Sequence, residues 1–537
     1  MSENPWWRGA VTYQIYPRSF LDSDGDGVGD LPGIERKLDY VASLGVDAIW
    51  ISPFFKSPMA DFGYDIADYR AVDPLFGTLD DFDRVLAKAH ALGLKVMIDQ
   101  VLSHTSVEHD WFKESRESRD NPKADWYVWA DAKDDGSPPN NWLSIFGGVA
   151  WQWEPRRGQY YLHNFLASQP DLNFHNPQVR AAVLDCVKFW LDRGVDGLRL
   201  DAINFCFHDR LLRDNPPKPK DKRIGRGFSP DNPYAFQYHW YNNTRPENLA
   251  FLEELRALLD RYPDVAALGE ISSEDSLATM AEYTSGRRLH MGYSFELLTD
   301  DFSVAHIRRT VERLEAQVSE GWPCWSISNH DVKRVVSRWG GARPPASLAN
   351  QLTALVCSLR GSVCVYQGEE LGLTEAELPF EALRDPYGIA FWPNFKGRDG
   401  CRTPMPWDDS EQGGFTAGTP WLPLPPEHRA LAVSRQEADP QSTLNGFRAF
   451  LRWRHGQPAL RWGAIGFVDT AEPVLAFVRE HDGQRLLAAF NLSAAPVEAR
   501  IAGLGNARAL AVPGLINGRL DGDTAQLPGC GVLFAAI

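Results

Sequence analysis

Several carboxylates, an arginine and a histidine stand at the ends of short apolar segments of this chain. Arg199 and Asp201 are alternate residues of the segment GLRLDAI, so a strand would place both side chains on one face. Glu270 ends the segment VAALGEI, and His330 and Asp331 follow PCWSISN. Carboxyl groups gathered in this way support acid–base and nucleophilic chemistry, in which one carboxyl stays protonated while another stays ionised.

Cleavage of a glycosidic bond is one reaction that requires such a pair of carboxyls. The segment 104–176 is rich in aromatic residues, whose ring faces can stack on the apolar faces of sugars. The chain has no HExxH motif, Walker A loop or GxSxG motif, so the commonest competing chemistries are disfavoured. These features favour a carbohydrate-cleaving site.

The alternation of apolar and amphipathic segments predicts how these residues are positioned. Eight apolar segments predict strands, at 10–17, 47–54, 94–101, 197–203, 265–271, 291–297, 323–329 and 361–368. Helical spacing lies between them, for example at 31–45 and 78–93. Eight strand–helix units predict an α/β fold, a (β/α)8 TIM barrel, with the polar residues at the carboxyl ends of its strands. A doubly wound open sheet is the alternative, but no GxGxxG follows the first segment.

Two interruptions and one change of pattern predict the domains. We expect the barrel to comprise 1–103 and 177–458, with a loop or lid insertion at about 205–248. The long aromatic segment 104–176 leaves the third strand on the active-site side and predicts an inserted subdomain. Strict alternation in VLAFVRE and RLLAAFNLS, separated by HDG, predicts a hairpin, so 459–537 is expected to be a C-terminal antiparallel β-domain.

Composition limits the partners of the protein. The formal net charge of −16 argues against a nucleic-acid partner, because a polyanion requires a basic surface. The first residues lack the pattern of a secretory signal, and no apolar run is long enough to span a membrane, so we expect a cytoplasmic protein without a membrane partner. The seven cysteines form no CxxC pair and are typical of reduced thiols. A monomer and a homodimer both remain open.

Six motifs in order resemble glycoside hydrolase family 13, the α-amylase family. They are DQVLSHTS (99–106), QPDLNF (169–174), GLRLDAINF (197–205), GEIS (269–272), SNHD (328–331) and GRDGCRTPMPW (397–407). Within that family the chain is similar to the oligo-1,6-glucosidase and α-glucosidase group, in particular to bacterial α-glucosidases noted for α-glucosyl transfer. The family often has Asn before the histidine of the first motif, whereas this chain has Ser103.

The resemblance assigns roles by position. Asp201 matches the nucleophile, Glu270 the general acid/base and Asp331 the acid that stabilises the transition state. The implied substrate-binding residues are Asp61, Tyr64, His104, Phe146, Phe165, Arg199, Ala202, Phe295, His330 and Arg398. Asp61 and Tyr64 resemble the pair that closes the pocket of exo-acting members, and Arg398 would pair with Asp61. For each phenylalanine, packing in the core is the alternative.

The function implied by the resemblance is that of a retaining, exo-acting α-glucosidase. Such an enzyme would cleave terminal α-1,4-linked glucose from maltose and short malto-oligosaccharides through a covalent glucosyl-enzyme, and would transfer glucose to alcohol or sugar acceptors. An oligo-1,6-glucosidase, a trehalose synthase or a sucrose-active member of the family would carry the same three acids. From other classes, we considered a catalytically inactive relative and a glycan-binding protein, and the intact triad disfavours both.

Three finer expectations concern the neighbourhood of the nucleophile. Ala202 follows Asp201, where α-1,6-preferring members usually carry Val, so maltose is expected to be preferred to isomaltose. Arg199 is expected to lower the pKa of Asp201. The pKa of Glu270 is expected to fall once the glucosyl-enzyme forms, with the two carboxyls roughly 5–5.5 Å apart for a retaining reaction.

The loop DSDGDGVGD (22–30) predicts a metal site remote from these acids. Its alternate aspartates resemble the first half of an EF-hand, but position twelve is Gly33 rather than Glu. The family resemblance implies that Ca²⁺ or Mg²⁺ binds here as a structural ion. Its implied ligands are Asp22, Asp24, Asp26, Asp30 and the carbonyl of Val28. A solvated turn is the alternative, and no organic cofactor is expected.

Overall fold

Eight parallel strands of the computed structural model close into a barrel. The structure describes residues 4–223, 231–318, 320–341, 344–504 and 506–537. The barrel strands are β1 (Val11–Ile15), β2 (Ala48–Ile51), β3 (Lys95–Val101), β4 (Gly197–Asp201), β5 (Ala266–Ile271), β6 (Met291–Ser294), β7 (Trp322–Ser326) and β8 (Ser362–Tyr366). Each strand pairs in parallel with the one before it and the one after it, and β8 pairs with β1. The predicted TIM barrel is therefore confirmed, and each predicted strand segment overlaps one barrel strand.

Helices cover the outside of this barrel. The main ones are α1 (Leu31–Ser43), α2 (Leu79–Ala91), α3 (Pro177–Asp192), α4 (Asn248–Leu259), α5 (Ser276–Tyr283), α6 (Val304–Gln317), α7 (Leu348–Ser358) and α8 (Thr443–His455). Shorter helices occur at Asp110–Glu117, Val335–Gly340, Pro386–Phe391, Pro426–Ala430, Val433–Ala438 and Pro458–Trp462. α1 begins where Asp30 accepts a hydrogen bond from the Gly33 N–H, and α2 begins at a capping box between Thr78 and Asp81. Both helices occupy the predicted segments because their apolar residues recur at helical spacing.

The segment between β3 and α3 has a small core of its own. Its antiparallel sheet has the strand order Trp129–Ala130, Gln159–Leu162, Trp151–Glu154. Trp142 is fully buried and stacks on Trp151 with ring centroids 5.8 Å apart. Much of the aromatic content of this segment therefore stabilises the insertion itself. The predicted lid follows β4, and its residues 224–230 lie outside the described part of the chain.

Two antiparallel sheets form the C-terminal region. One has the strand order Ala464–Val468, Val474–His481, Gln484–Asn491, Val532–Ala536, Arg508–Leu510. The other has the order Val497–Arg500, Thr524–Leu527, Arg519–Asp521. Asp482 and Gly483 turn the predicted hairpin with φ of 45° and 81°, the positive values that a two-residue hairpin turn requires.

The inside of the barrel is apolar near its floor and charged near its mouth. Met97, Leu268, Met291, Trp322 and Cys324 pack together on the inner side of the strands. Further along the same strands the inward residues are Asp99, Arg199 and Glu270, which are buried but polar. Burying charge is costly unless it is paired, so the charged layer marks the functional end of the barrel.

Candidate active site

Arg199 lies fully buried in the barrel mouth and binds carboxyl groups from three strands. Its Nη1 donates to both oxygens of Asp99 on β3, at 2.9 and 3.2 Å, and to Oδ1 of Asp201 at 2.6 Å. Its Nη2 lies 2.5 Å from Oε1 of Glu270 on β5. One guanidinium therefore positions both acids that the sequence assigned to the nucleophile and the acid/base.

Strand register explains why these side chains meet. Asp99 is paired with Arg199 across β3 and β4, and Val101 is paired with Asp201. Leu198 and Leu200 are fully buried and belong to the core outside the barrel mouth, because side chains alternate along β4. The charged face of GLRLD thus points inwards, towards Asp99 and Glu270.

The backbone turns sharply at the end of β4. Ala202 has φ 40° and ψ 44°, a left-handed conformation that is uncommon for a residue other than glycine. In this conformation the Ala202 N–H donates to Oε2 of Glu270 at 3.1 Å. The turn therefore connects the residue after Asp201 directly to Glu270.

Two arginines and the neutral imidazole of His330 contact Asp331. Oδ1 of Asp331 accepts from Nη2 of Arg402 at 2.9 Å and from Nη1 of Arg398 at 3.2 Å. His330 Nε2 lies 3.2 Å from Oδ2 of Asp331 and 2.7 Å from the Tyr64 hydroxyl, and the His330 and Tyr64 rings stack. Arg402 lies inside a sequence motif but was not among the predicted site residues.

A second ion-pair network lies in the wall of the cavity. Nη2 of Arg398 donates to Oδ1 of Asp61 at 2.8 Å, as the sequence predicted. The same guanidinium binds Asp385 through Nη2 and Nε at 2.8 and 3.1 Å. Gln169 donates to Oδ2 of Asp61 at 3.2 Å and lines the cavity. Asp385 stands in no recognisable motif, whereas Gln169 stands in the QPDLNF motif and could have been selected there.

Burial and charge move the pKa values of the acids in different directions. Burial raises the pKa of Asp201 to about 7, although Arg199 opposes the shift. Arg199 therefore acts in the expected direction on the pKa of Asp201, but burial has the larger effect and the net shift is upward. Burial likewise raises the pKa of Glu270 to about 7, with Arg199 opposing and Asp201 adding to the rise. Burial also opposes ionisation of Asp331, but His330, Arg398 and Arg402 hold the pKa of Asp331 well below its usual range.

Among the residues described, most of the predicted catalytic and substrate-binding residues line one cavity. These are Asp61, Tyr64, His104, Phe146, Phe165, Asp201, Ala202, Glu270, Phe295, Asp331 and Arg398, joined by Ile145, Gln169, Phe205, Ser272 and Tyr387. Arg199 and His330 lie behind the lining and are fully buried. His104 is also buried, which lowers its pKa to about 4, so the imidazole is neutral at pH 7. Its Nδ1 lies 3.0 Å from Oγ of Ser103, the residue that departs from the family pattern.

The apolar half of the cavity comes from three separate segments. Phe165 contacts Phe205 with centroids 5.2 Å apart, and Phe146 contacts Tyr387 at 5.3 Å. Phe146 also lies under the guanidinium of Arg398 at 5.1 Å. Phe146 and Phe165 therefore line the cavity and also pack against neighbouring rings. The two interpretations from the sequence, cavity wall and packing, both apply to them.

The aspartate-rich loop brings three carboxylates together. Ligand oxygens of Asp22, Asp24 and Asp30 all lie within 4.8 Å of one another. Asp26 lies outside this group, and its carboxylate accepts from the Val28 N–H at 2.8 Å. Three clustered carboxylate oxygens are hard donors that suit Ca²⁺ or Mg²⁺, so these residues fit such an ion.

An eight-stranded parallel barrel with a ring of paired acids at its mouth, beside an aromatic-walled cavity, defines a barrel enzyme of the glycoside hydrolase class. A family model described as alpha amylase, catalytic domain, matches residues 14–463. The chain therefore belongs to the α-amylase family, glycoside hydrolase family 13. In the described part of the chain, each helix is too short or too polar to cross a membrane.

Named relatives agree with this assignment. The chain is 57% identical to a probable alpha-glucosidase of Rhizobium meliloti, over 91% of this chain and 90% of that protein. It is 39% identical to an oligo-1,6-glucosidase of Heyndrickxia coagulans, over 91% of this chain and 92% of that protein. Among solved structures, the alpha-glucosyl transfer enzyme XgtA matches with a TM-score of 0.99 and 70% identity, over 99% of this chain and 100% of that one. The trehalulose synthase MutB matches with a TM-score of 0.89 and 33% identity, over 99% and 100%.

Proposed function

We propose that the protein is a retaining, exo-acting α-glucosidase that also transfers glucose to alcohol or sugar acceptors. The observation that carries the proposal is the shared guanidinium of Arg199, which holds Asp201 and Glu270 beside one cavity whose lining also includes the ion pair of Asp61 and Arg398. Relatives named as alpha-glucosidase and as alpha-glucosyl transfer enzyme support the choice of substrate and the transfer reaction.

In the first half-reaction Asp201 acts as the nucleophile on the anomeric carbon. Glu270 gives its proton to the glycosidic oxygen, so the aglycone leaves as a neutral alcohol and a glucosyl ester forms on Asp201. Asp99 and Asp201 share Arg199 with Glu270, and the single positive charge of Arg199 compensates only part of their negative charge. The remaining negative charge favours the protonated form of Glu270. Asp331 remains ionised beside its arginines and binds ring hydroxyls as positive charge develops in the transition state.

In the second half-reaction Glu270 acts as the base. Esterification removes the negative charge of Asp201, which had raised the pKa of Glu270, so this carboxyl then favours its ionised form. It takes the proton of a water molecule or of an acceptor hydroxyl that attacks the ester. Hydrolysis and transfer thus differ only in the attacking hydroxyl.

The ion pair of Asp61 and Arg398 supports exo action. We infer that Arg398, which is fixed between the buried carboxylates of Asp61 and Asp385, blocks the cavity beyond the first glucose unit. Charged groups at this end also offer hydrogen bonds to the non-reducing hydroxyls. We therefore propose that one glucose unit is removed at a time.

Ala202 supports a preference for maltose over isomaltose. It lines the cavity between the two catalytic carboxyls, where a branched side chain would narrow the space beside the leaving sugar. Its left-handed backbone also disfavours a β-branched residue, so Ala202→Val changes strain as well as volume. Ala202→Gly is the matched control, because it removes the strain without filling the cavity.

Product analysis tests the proposed function directly. The purified protein is incubated with maltose, isomaltose, sucrose and trehalose, with and without an added alcohol, and the anomer released is followed by NMR. We expect α-glucose from maltose and an α-glucoside of the alcohol. Release of β-glucose would contradict retention, faster cleavage of isomaltose would favour an oligo-1,6-glucosidase, and isomerised sucrose or maltose would favour a synthase.

We also propose that Asp22, Asp24 and Asp30 hold a structural Ca²⁺ or Mg²⁺ that would neutralise their mutual repulsion. Asp30 caps α1, so an ion there would stabilise the loop that leads into this helix. The test is the melting temperature with Ca²⁺, with Mg²⁺ and with a chelator. An unchanged melting temperature in the wild type, or an equal response in Asp24→Asn, would contradict the site.

A further inference from the structure

Two fully buried polar residues connect Asp331 with Glu270 through hydrogen bonds. The Asp331 N–H donates to Oδ1 of Asn329 at 2.9 Å, and Nδ2 of Asn329 donates to the hydroxyl of Tyr293 at 3.1 Å. The Tyr293 hydroxyl donates to Oε1 of Glu270 at 2.9 Å. Tyr293 and Asn329 are 1% and 0% exposed and lie outside the residues that line the cavity. Neither side chain therefore contacts a molecule in the cavity directly, and Tyr293 acts on the reaction through Glu270.

The direction of each hydrogen bond is fixed by chemistry. Because a backbone N–H can only donate, the atom of Asn329 that faces Asp331 is its carbonyl oxygen, and its NH₂ group must face Tyr293. The NH₂ group also can only donate, so the phenol oxygen accepts from it and directs its own proton to Glu270. Burial raises the pKa of Tyr293, which keeps this proton on the phenol.

The two oxygens of Glu270 are consequently not equivalent. Oε1 receives the Tyr293 hydroxyl at 2.9 Å and lies 2.5 Å from Nη2 of Arg199. Oε2 receives the Ala202 N–H at 3.1 Å. Oε1 therefore has a hydroxyl donor and the positive charge of Arg199 beside it, which disfavour a proton there, whereas Oε2 has only a backbone N–H and is the better site for the proton.

We propose that Tyr293, oriented by Asn329, is a positioning residue that keeps the exchangeable proton of Glu270 on Oε2 and favours the ionised carboxylate after that proton has left. A proton held on Oε2 favours the acid step, because the same oxygen then always donates to the glycosidic oxygen. The second effect serves the base step, because a hydrogen bond to the ionised form stabilises that form. This inference rests on the proposed retaining glucosidase reaction.

Several charged groups face Glu270 besides Tyr293. They are Asp99 on β3, Arg199 and Asp201 on β4, and Asp331 after β7. All of these groups are present in both Tyr293→Phe and Tyr366→Phe, the two variants compared below. Their contribution to the pKa of Glu270 therefore cancels in the comparison. A change in the pH profile of Tyr293→Phe then reports the lost hydroxyl alone.

The experiment compares pH profiles of the wild type, Tyr293→Phe and a matched control, Tyr366→Phe. Tyr366 is fully buried on β8 and donates to the carbonyl of Cys401 at 3.0 Å, so its replacement also removes one buried hydrogen bond. In Tyr293→Phe we expect the alkaline limb of kcat/KM for maltose to move up by about one pH unit. The acid limb of kcat for an aryl glucoside whose deglucosylation is slow should move in the same direction. Tyr366→Phe should leave both limbs in place.

Asn329→Ala provides a second test that does not alter the tyrosine. In the wild-type background we expect Asn329→Ala to shift the same limbs upwards by less than Tyr293→Phe does. In the Tyr293→Phe background we expect no further shift, because the hydrogen bonds between Asn329 and Glu270 are already broken. Limbs that do not move in Tyr293→Phe relative to Tyr366→Phe, or equal shifts for Asn329→Ala in both backgrounds, would overturn the inference. A wild-type protein without activity on any α-glucoside would instead overturn the proposed function.

Discussion

The two acid clusters in the barrel mouth differ in how many arginines reach each carboxyl. Around Arg199, one guanidinium serves Asp99, Asp201 and Glu270. Around Asp331, two guanidiniums, Arg398 and Arg402, donate to one carboxylate oxygen. We call these the Arg199 cluster and the Asp331 cluster.

The pKa values of the carboxyls differ between the two clusters in the same sense. Burial raises the pKa of all three carboxyls of the Arg199 cluster, to about 6 for Asp99 and about 7 for Asp201 and Glu270. In the Asp331 cluster the pKa of Asp331 is lowered, although burial acts in the opposite direction. Burial lowers the pKa of His330 to about 3, so the two arginines are the permanent charges there. Glu270, which must exchange a proton, thus shares one guanidinium with two other carboxyls, whereas Asp331, which must stay ionised, accepts from two guanidiniums, although Arg398 also binds Asp61 and Asp385.

Loss of the nucleophile should have the largest effect on activity. Asp201→Asn keeps the size of the side chain but removes the attacking oxygen charge, so kcat for maltose should fall by about 10⁴-fold or more. Steady-state kinetics with an active-site titration measures this change. A residual rate within tenfold of the wild type would mean that Asp201 is not the nucleophile.

Loss of the acid should have an effect that depends on the leaving group. Glu270→Gln should reduce kcat/KM by about 10³-fold for maltose, whose leaving alcohol needs a proton. For an aryl glucoside with an activated phenol the loss should be about tenfold or less, because that group leaves as an anion. The ratio of the two losses is the measurement, and equal losses would count against the assigned role.

Asp385 should affect binding more than chemistry. Asp385→Asn weakens the hold on Arg398, so the KM for maltose should rise by about tenfold, equivalent to ~1.4 kcal/mol, with a smaller change in kcat. Asp209→Asn is the matched control, because Asp209 binds Arg213 through two nitrogens at 2.7 and 2.9 Å outside the cavity lining. The same KM change in both variants would show that Asp385 has no particular role in holding Arg398.

The smallest effect should be a difference in how stability depends on pH. The folded-state pKa of Asp201 is raised, so its stabilising contribution is present at low pH and is lost as the pH rises towards about 7. Asp201→Asn should therefore gain melting temperature relative to the wild type between pH 5 and about 7.

The folded-state pKa of Asp331 is lowered, so its contribution is present above about pH 4, where the carboxylate of the unfolded chain ionises, and is lost on acidification. Asp331→Asn should lose melting temperature across the neutral range and approach the wild type only in acid. Scanning calorimetry at several pH values measures both variants. The same sign of change for both at pH 7 would remove the proposed distinction between the two clusters.

Local patterns were sufficient to predict the barrel and the inward face of β4. Leu198 and Leu200 alternate with Arg199 and Asp201, and alternation along a strand depends only on backbone geometry. The same reasoning placed Glu270 at the end of β5 and the hairpin near the C-terminus. Motif resemblance added Asp61 and Arg398, which are far apart in the sequence but form an ion pair.

Other parts of the site could not be predicted in this way. Asp385 has no motif, and its contact with Arg398 depends on how the segment after β8 folds back over the barrel mouth. The inserted segment has many aromatic residues, yet only the packed structure separates the rings of its own core, such as Trp142, from cavity walls such as Phe165.

The sequence by itself determined the order of the strands, the face on which the acids lie and the family to which their spacing belongs. These properties follow from period-two alternation and from the order of short motifs, which are local. Only the tertiary structure decided which acid keeps its proton and which stays ionised. That outcome depends on how many arginines reach each buried carboxyl, and the arginines of the Asp331 cluster arrive from the segment after β8, about 70 residues further along the chain.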